Sequence, residues 1–151
     1  MKAVSPAPGS DPPPADISYG VGGIEFIPVE SIAAEQAGYA GPGWSQDWLV
    51  IASESACGDP IFVDRSHPEF PVLTAMHGEG SWEPSPVAPS WQVFLEIIEV
   101  IRPVTAGREH PVGLEAKPLT ANERSAIDSA LRDLLGSTPS DFWDLLLDEG
   151  E

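Results

Sequence analysis

Residues of the types that bind metal ions gather in one part of this sequence. They are Asp59, Asp64, His67, His77 and Glu79. Carboxylate oxygens and imidazole nitrogens are common ligands of divalent ions. The spacing does not favour a metal site, because the two histidines are ten residues apart and no H-x-x-x-H or H-E-x-x-H pair occurs. The simpler interpretation is that Asp59 and Asp64 mark strand ends and accept hydrogen bonds from turn N–H groups.

Nucleophilic and general acid–base catalysis have few candidates. Cys57 lies in the small-residue segment SACGD and would need His67 or His77 within hydrogen-bond distance. No G-x-S-x-G motif occurs. Glu83, next to Trp82, is the one carboxyl with the apolar neighbour that a general acid needs. We predict no catalytic, cofactor-binding or metal-binding residues, and a metal-dependent enzyme using His67, His77 and nearby acids is kept as an alternative.

Negative charge dominates the chain. It has 24 acidic and 7 basic residues, a formal net charge of −17. Between Lys2 and Arg102 the only basic residue is Arg65, whereas residues 22–101 hold twelve carboxylates. They are Glu25, Glu30, Glu35, Asp47, Glu54, Asp59, Asp64, Glu69, Glu79, Glu83, Glu96 and Glu99. Most of them must lie in water, where they generate a negative field.

This field restricts the classes of partner. It repels nucleic-acid phosphates and anionic lipid surfaces, so we predict that the chain binds neither nucleic acid nor membranes. It attracts basic proteins and accelerates their association. The alternative is that the acidity only maintains solubility.

Length and cysteine content suggest a single domain in a reducing compartment. A chain of 151 residues with 42% hydrophobic content fits one domain with a tail. Cys57 is the only cysteine, so no internal disulfide forms. No apolar run approaches the roughly 20 residues that span a bilayer, and the N-terminus lacks the apolar segment of a signal peptide. We therefore predict a cytoplasmic protein.

Prolines and glycines divide the chain into elements. Residues 1–18 are rich in proline and are expected to form a flexible tail. The following segments have the patterns of short strands, or in one case (29–37) of a helix. They are 24–27, 29–37, 48–52, 60–63, 71–77 and 81–83. Residues 48–52 and 60–63 predict an antiparallel hairpin. Pro84, Pro86 and Pro89 are expected to block further pairing.

Helices dominate the second half. Ser90 is a good N-cap for a helix over 90–101 whose apolar stripe packs against the sheet. An irregular connector covers 103–119. Thr120 and Glu123 form a capping box that begins the C-terminal helices of 120–147, and the chain closes with an acidic tail, 148–151. The fold class is α+β, with a mainly antiparallel sheet and helices packed around it.

Aromatic residues are unusually numerous for a core of this size. The five tryptophans are Trp44, Trp48, Trp82, Trp91 and Trp143. The simpler interpretation places all five in the core or at its edge. The alternative is that some are exposed anchors surrounded by acids, an arrangement suited to protein recognition.

Residues 44–98 resemble the SMI1/KNR4 family of the SUKH superfamily. The resemblance is carried by four motifs in order: the strand W48-L-V-I-A52, the segment G58-D-P-I-F-V-D64, the pair H77-G78 followed by Trp82, and Ser90 with F94-L95. The segment 23–32 extends it upstream. The family's opening helix is missing here, and the proline-rich tail stands in its place. Residues 120–147 lie outside the match and are expected to occupy the space that this helix leaves.

The resemblance implies an α+β domain, here 19–147 with its core at 22–101, that binds proteins and has no catalytic residues. Bacterial members are similar to immunity proteins that neutralise toxins, many of them basic nucleases. Fungal relatives resemble scaffolds that regulate cell-wall synthesis. We therefore expect an immunity protein for a basic toxin, or alternatively a scaffold domain. The acidic loops flanking the hairpin are the expected partner-binding residues: Asp47, Glu54, Asp59, Asp64, Glu79 and Glu83.

Overall fold

The computed structural model is built on one antiparallel sheet in which each strand pairs with the next strand of the chain. It describes residues 8, 15–19, 22–39, 41, 43–55, 58–76, 82–106, 108 and 119–147. The strands are β1 (Ile17–Tyr19), β2 (Gly22–Phe26), β3 (Trp48–Glu54), β4 (Pro60–Asp64), β5 (Val72–Thr74) and β6 (Ser85–Ala88). The helices are α1 (Val29–Tyr39), α2 (Trp91–Thr105), α3 (Ala121–Leu135) and α4 (Asp141–Leu146). The predicted α+β fold class is confirmed.

The hairpin predicted from residues 48–63 forms the centre of the sheet. β3 and β4 pair antiparallel, with Val50 opposite Phe62 and Leu49 opposite Val63. Alternate residues of a strand point to opposite faces, and both sets are apolar here. The four residues Pro60 to Val63 are all buried, so both faces of this strand are covered.

The last strand corrects the prediction for residues 81–89. Pro86 does not block pairing: it lies within β6, opposite Leu73. β6 is an edge strand with one neighbour. A proline is tolerated there when its nitrogen, which has no hydrogen to donate, faces away from that neighbour. The strand predicted at 81–83 is wrong for Trp82 and Glu83, which precede β6, and Ser81 lies outside the described residues. The strand predicted at 71–77 is shorter and covers Val72–Thr74.

The first strand begins inside the predicted tail. Ile17 is 2% exposed and pairs with Ile24, because an apolar residue that follows the last proline is free to join the sheet. Gly23 is required by this pairing. Its φ is +142°, and a Cβ at this position would lie 2.2 Å from the carbonyl oxygen of Ile17. Except for Pro8, Ala15 and Asp16, the rest of the predicted tail, like residues 148–151, lies outside the described residues.

The main core lies on one face of the sheet, which we call the main face. α2, α3 and α4 pack there. Ser90 caps α2 by accepting a hydrogen bond from Val93 N, and the predicted capping box of Thr120 and Glu123 begins α3. α2 extends four residues beyond the predicted end at Ile101, with Pro103 in its last turn. No helix in the described ranges is long and apolar enough to cross a bilayer.

One ion pair, between a buried arginine and a partly exposed glutamate, ties the C-terminal end of α2 to α3. The guanidinium of Arg108, 3% exposed, lies 2.9 Å and 3.3 Å from the two carboxylate oxygens of Glu123. Arg108 Nη1 also donates to the carbonyl oxygen of Val104. These bonds, together with the Thr120 capping bond, hold the pKa of Glu123 down at about 2.

Candidate functional site

The opposite face of the sheet, which we call the second face, carries a smaller cluster of side chains. Its buried members are Val50, Phe62 and Ala75. The partly buried residues packed against them are Ile27, Tyr39, Trp44, Trp48, Leu73 and Trp82. The sequence contains the signal for this cluster, because the continuous apolar run of β3 requires cover on both faces of the sheet.

Five of these residues form what we call the aromatic patch: Tyr39, Trp44, Trp48, Phe62 and Trp82. Trp44 is its centre, with ring centroids 5.3 Å from Tyr39, 5.2 Å from Trp48, 4.8 Å from Phe62 and 5.4 Å from Trp82. Most pairs adopt the edge-to-face or tilted geometry that aromatic quadrupoles favour. The rings therefore shield one another, yet all except Phe62 keep part of their surface exposed.

The helix beside the patch contacts the sheet through a polar side chain as well as through Tyr39. α1 has no buried residue among its eleven. Gln36 docks it: its side-chain oxygen accepts from Val50 N at 2.8 Å, and its side-chain nitrogen donates to the carbonyl oxygen of Trp48. The pairing of β2 with β3 runs from Ile24 opposite Glu54 to Phe26 opposite Ala52. At Trp48 and Val50, which lie outside this pairing, the Gln36 amide makes the hydrogen bonds that a neighbouring strand would make. The sequence prediction missed this role of Gln36.

Four carboxylates lie near residues of the aromatic patch. Burial raises the pKa of Tyr39 above its ordinary value, and the negative charges of Glu35 and Asp59 raise it further. Asp47 directly precedes Trp48 in the chain and Glu83 directly follows Trp82; both carboxylate side chains are exposed. The patch therefore lies in a field of negative charge.

The only basic residue of 22–101 is already engaged near the patch. Arg65 donates from Nε to the carbonyl oxygen of Asp47 at 3.4 Å and from Nη2 to that of Gln46 at 3.0 Å. Among the described residues it makes no carboxylate contact within salt-bridge distance. Arg65 thus stabilises the loop before β3, and its charge lies at the Trp48 end of the patch.

The six predicted partner-binding residues do not form one cluster. Asp47 and Asp64 lie at one end of the hairpin, where Asp64 pairs with Trp48. Glu54 and Asp59 lie at the other end, joined by the bond from Glu54 N to the Asp59 carbonyl oxygen. Glu83 precedes β6, and Glu79 lies outside the described residues. The aromatic patch connects the two ends, from Trp48 to Tyr39.

The structure separates Asp59 from Asp64 and His67, which the sequence presents as candidate metal ligands. Asp59 directly precedes β4 and Asp64 is its last residue, and the extended strand between them places them roughly 16 Å apart. Asp64 accepts bonds from Ser66 N at 2.9 Å and from the Ser66 hydroxyl, and lies 3.8 Å from His67. Burial alone would raise its pKa, but these contacts outweigh burial and lower it. Asp64 therefore has the predicted turn-capping role.

No group of three potential metal ligands gathers in the described ranges. His77, Glu79 and Cys57 lie outside them. A groove of about 460 Å³ between α3 and α4 contains charged side chains. There Arg124 pairs with Asp128 at 3.3 Å and lies 3.8 Å from Asp144. These groups form partly exposed ion pairs that partly neutralise one another.

Comparisons with known proteins give no relative for this chain. No protein-family model matches it, and neither a curated protein nor a solved structure does. The resemblance to the SMI1/KNR4 family therefore stays a prediction from the sequence motifs.

Proposed function

We propose that this chain is a non-catalytic, cytoplasmic protein-binding domain, and specifically an immunity protein that neutralises a basic toxin domain. The observation that carries the proposal is the aromatic patch with its surrounding carboxylates. Partly exposed tryptophans and tyrosines are the residues that dominate binding energy at protein interfaces. The acidic surroundings select a partner of opposite charge.

The charge distribution supports the same proposal. Residues 22–101 hold twelve carboxylates against Arg65, and Arg65 donates to backbone carbonyls. Arg102, directly after this range, pairs with Glu99 at 3.2 Å, and the excess of carboxylates still gives this part of the chain a net negative charge. A field of this kind accelerates association with a basic protein and competes with nucleic acid for it, which is what neutralisation of a basic nuclease toxin requires.

The test is protection of cells from a toxin. The candidate partner is sought among toxin-like reading frames next to this gene, and it is expressed alone and together with this chain. We expect death in the first case, survival in the second, and a purified 1:1 complex whose association rate falls steeply as salt increases. Cell death despite co-expression, or a rate independent of ionic strength, would contradict the proposal.

A scaffold domain of the cell-wall-regulator type is the alternative. It predicts several weak partners and no protection from any toxin. The metal-dependent enzyme is tested separately by metal analysis of the purified protein: a stoichiometric ion whose removal by chelator lowers the melting temperature would support it.

A further inference from the structure

The aromatic patch has chemistry that selects one kind of side chain. Aromatic rings carry partial negative charge on their faces, which attracts cations. Three partly exposed rings, Tyr39, Trp44 and Trp82, lie within 5.3–5.6 Å of one another by their centroids. Glu35 and Asp59 add full negative charges close to Tyr39. Rings and carboxylates thus favour the same positively charged group.

We infer that the aromatic patch receives an arginine or lysine side chain of a basic protein, held against Tyr39, Trp44 and Trp82 with Glu35 and Asp59 beside it. The inference rests on the proposed function, because it assumes a basic protein partner, and it adds the contact that this partner makes. Arginine fits best, since its planar guanidinium stacks on rings and pairs with carboxylates at the same time.

Charge argues against the other occupants of an exposed aromatic surface. A second copy of this chain also carries a net charge of −17, so two acid-surrounded patches repel each other. An acidic peptide and an anionic membrane are repelled for the same reason. A neutral apolar segment would gain nothing from the negative charges near the patch, whereas a cation is attracted by them.

The five tryptophans make a direct test. Trp44, Trp48 and Trp82 lie in the aromatic patch, whereas Trp91 and Trp143 lie in the main core with 5% and 0% exposure. The indole N–H signals of ¹⁵N-labelled protein are recorded during titration with a blocked, arginine-rich dodecapeptide. A citrulline version of this peptide, which keeps the shape and removes the charge, is the matched control.

We expect the three patch signals to move with the arginine peptide while those of Trp91 and Trp143 stay fixed. The citrulline peptide is expected to bind at least about tenfold more weakly. Equal affinity for both peptides, or shifts outside the patch only, would overturn the inference. Patch signals that move with protein concentration alone would also overturn it, in favour of self-association.

Variants distinguish binding at the aromatic patch from attraction by the overall negative charge of the protein. Trp82→Leu removes one ring and is expected to weaken the arginine peptide about 5-fold or more. Glu35→Lys and Asp133→Lys change the net charge equally, but only Glu35 lies beside the patch. We expect Glu35→Lys to weaken binding several-fold more than Asp133→Lys, with the Trp143 signal unchanged as proof of folding. Equal effects of the two charge variants would count against the inference.

The peptide titration and the toxin-protection test can fail separately. If a basic toxin is neutralised but the patch signals do not respond to arginine, the inference fails and the proposed function stands. If arginine binds at the patch but no toxin is neutralised, the proposed function fails and the site remains.

Discussion

The two faces of the sheet share the same strands but are covered differently. On the main face α2 alone buries six side chains, whereas α1 beside the second face buries none. The indole N–H of Trp143 donates to the Val87 carbonyl oxygen at 2.9 Å. The N–H of Trp44 is also buried but has no hydrogen-bond partner among the described residues. The main face is therefore packed more completely, and the second face keeps partly exposed aromatic surface.

The largest expected effect comes from the main face. Phe94 is fully buried and its ring lies 5.5–6.1 Å from those of Phe26, Trp91 and Trp143. Phe94→Ala leaves a cavity at this junction and should lower the free energy of unfolding by about 3–5 kcal/mol. Urea denaturation measures it. Trp82→Ala in the aromatic patch is the comparison, with an expected loss below about 2 kcal/mol because the ring is partly exposed. Equal losses would mean that the second face is a core like the first.

The next largest effect on stability is expected from disrupting the Arg108–Glu123 ion pair on the main face. Glu123→Gln removes the negative charge that faces the buried Arg108 guanidinium and should lower stability at neutral pH. The folded-state pKa of Glu123 is about 2 against an ordinary 4.5. The pair therefore stabilises fully above pH 4.5, and its contribution is lost as the pH falls from 4.5 towards 2.

Melting temperatures of the wild type and Glu123→Gln across this range provide the measurement. The difference should be constant above pH 5 and shrink below 4.5. Asp128→Gln is the control, because its salt bridge to Arg124 is half-exposed and contributes little. A Glu123→Gln difference that persists unchanged to pH 2 would rule out the ion pair as its cause.

A smaller effect is expected on the second face. Gln36→Leu leaves the Trp48 carbonyl oxygen and the Val50 N–H without the amide that bridges them, at a cost of about 1–3 kcal/mol. It should also loosen α1 and change the fluorescence of the aromatic patch. Ala34→Leu, at an exposed position of the same helix, controls for the added leucine. Similar costs for the two variants would show that Gln36 does not hold α1 in place.

Much of the main face could be predicted from local signals. The apolar stripe of α2, the caps at Ser90 and Thr120 and the turn between β3 and β4 all lie within a few residues of what they determine. The position of Pro86 could not be predicted in this way. A proline is excluded from a central strand but tolerated at an edge, and which strand forms the edge is decided by the whole sheet.

The second face was harder to predict for a similar reason. The run of apolar residues in β3 indicates that both faces of the strand are buried, but it does not identify the residues that pack against the second face. Tyr39, which stacks on Trp44, and Gln36, which bonds to β3, are single residues of a helix with little amphipathic character. Trp44 follows Tyr39 by five residues, and the β3 partners of Gln36 follow it by 12 and 14 residues, so no helical or strand repeat signals these contacts. The number of acidic residues can be read from the sequence, but their positions relative to the aromatic rings depend on the fold.

Charge reversal should change stability least and test the comparison most directly. Asp47→Lys or Glu83→Lys changes an exposed carboxylate beside the aromatic patch, and each is expected to alter the free energy of unfolding by less than about 0.5 kcal/mol. Each should nevertheless slow association with a basic partner at low salt, because steering depends on the local field. Asp133→Lys in α3 makes the same change in net charge on the opposite side. The difference between these variants should vanish at high salt, where the screening length falls to about 3 Å at 1 M. An Asp133→Lys effect as large as that of Glu83→Lys would mean that the total charge, and not the second face, guides the partner.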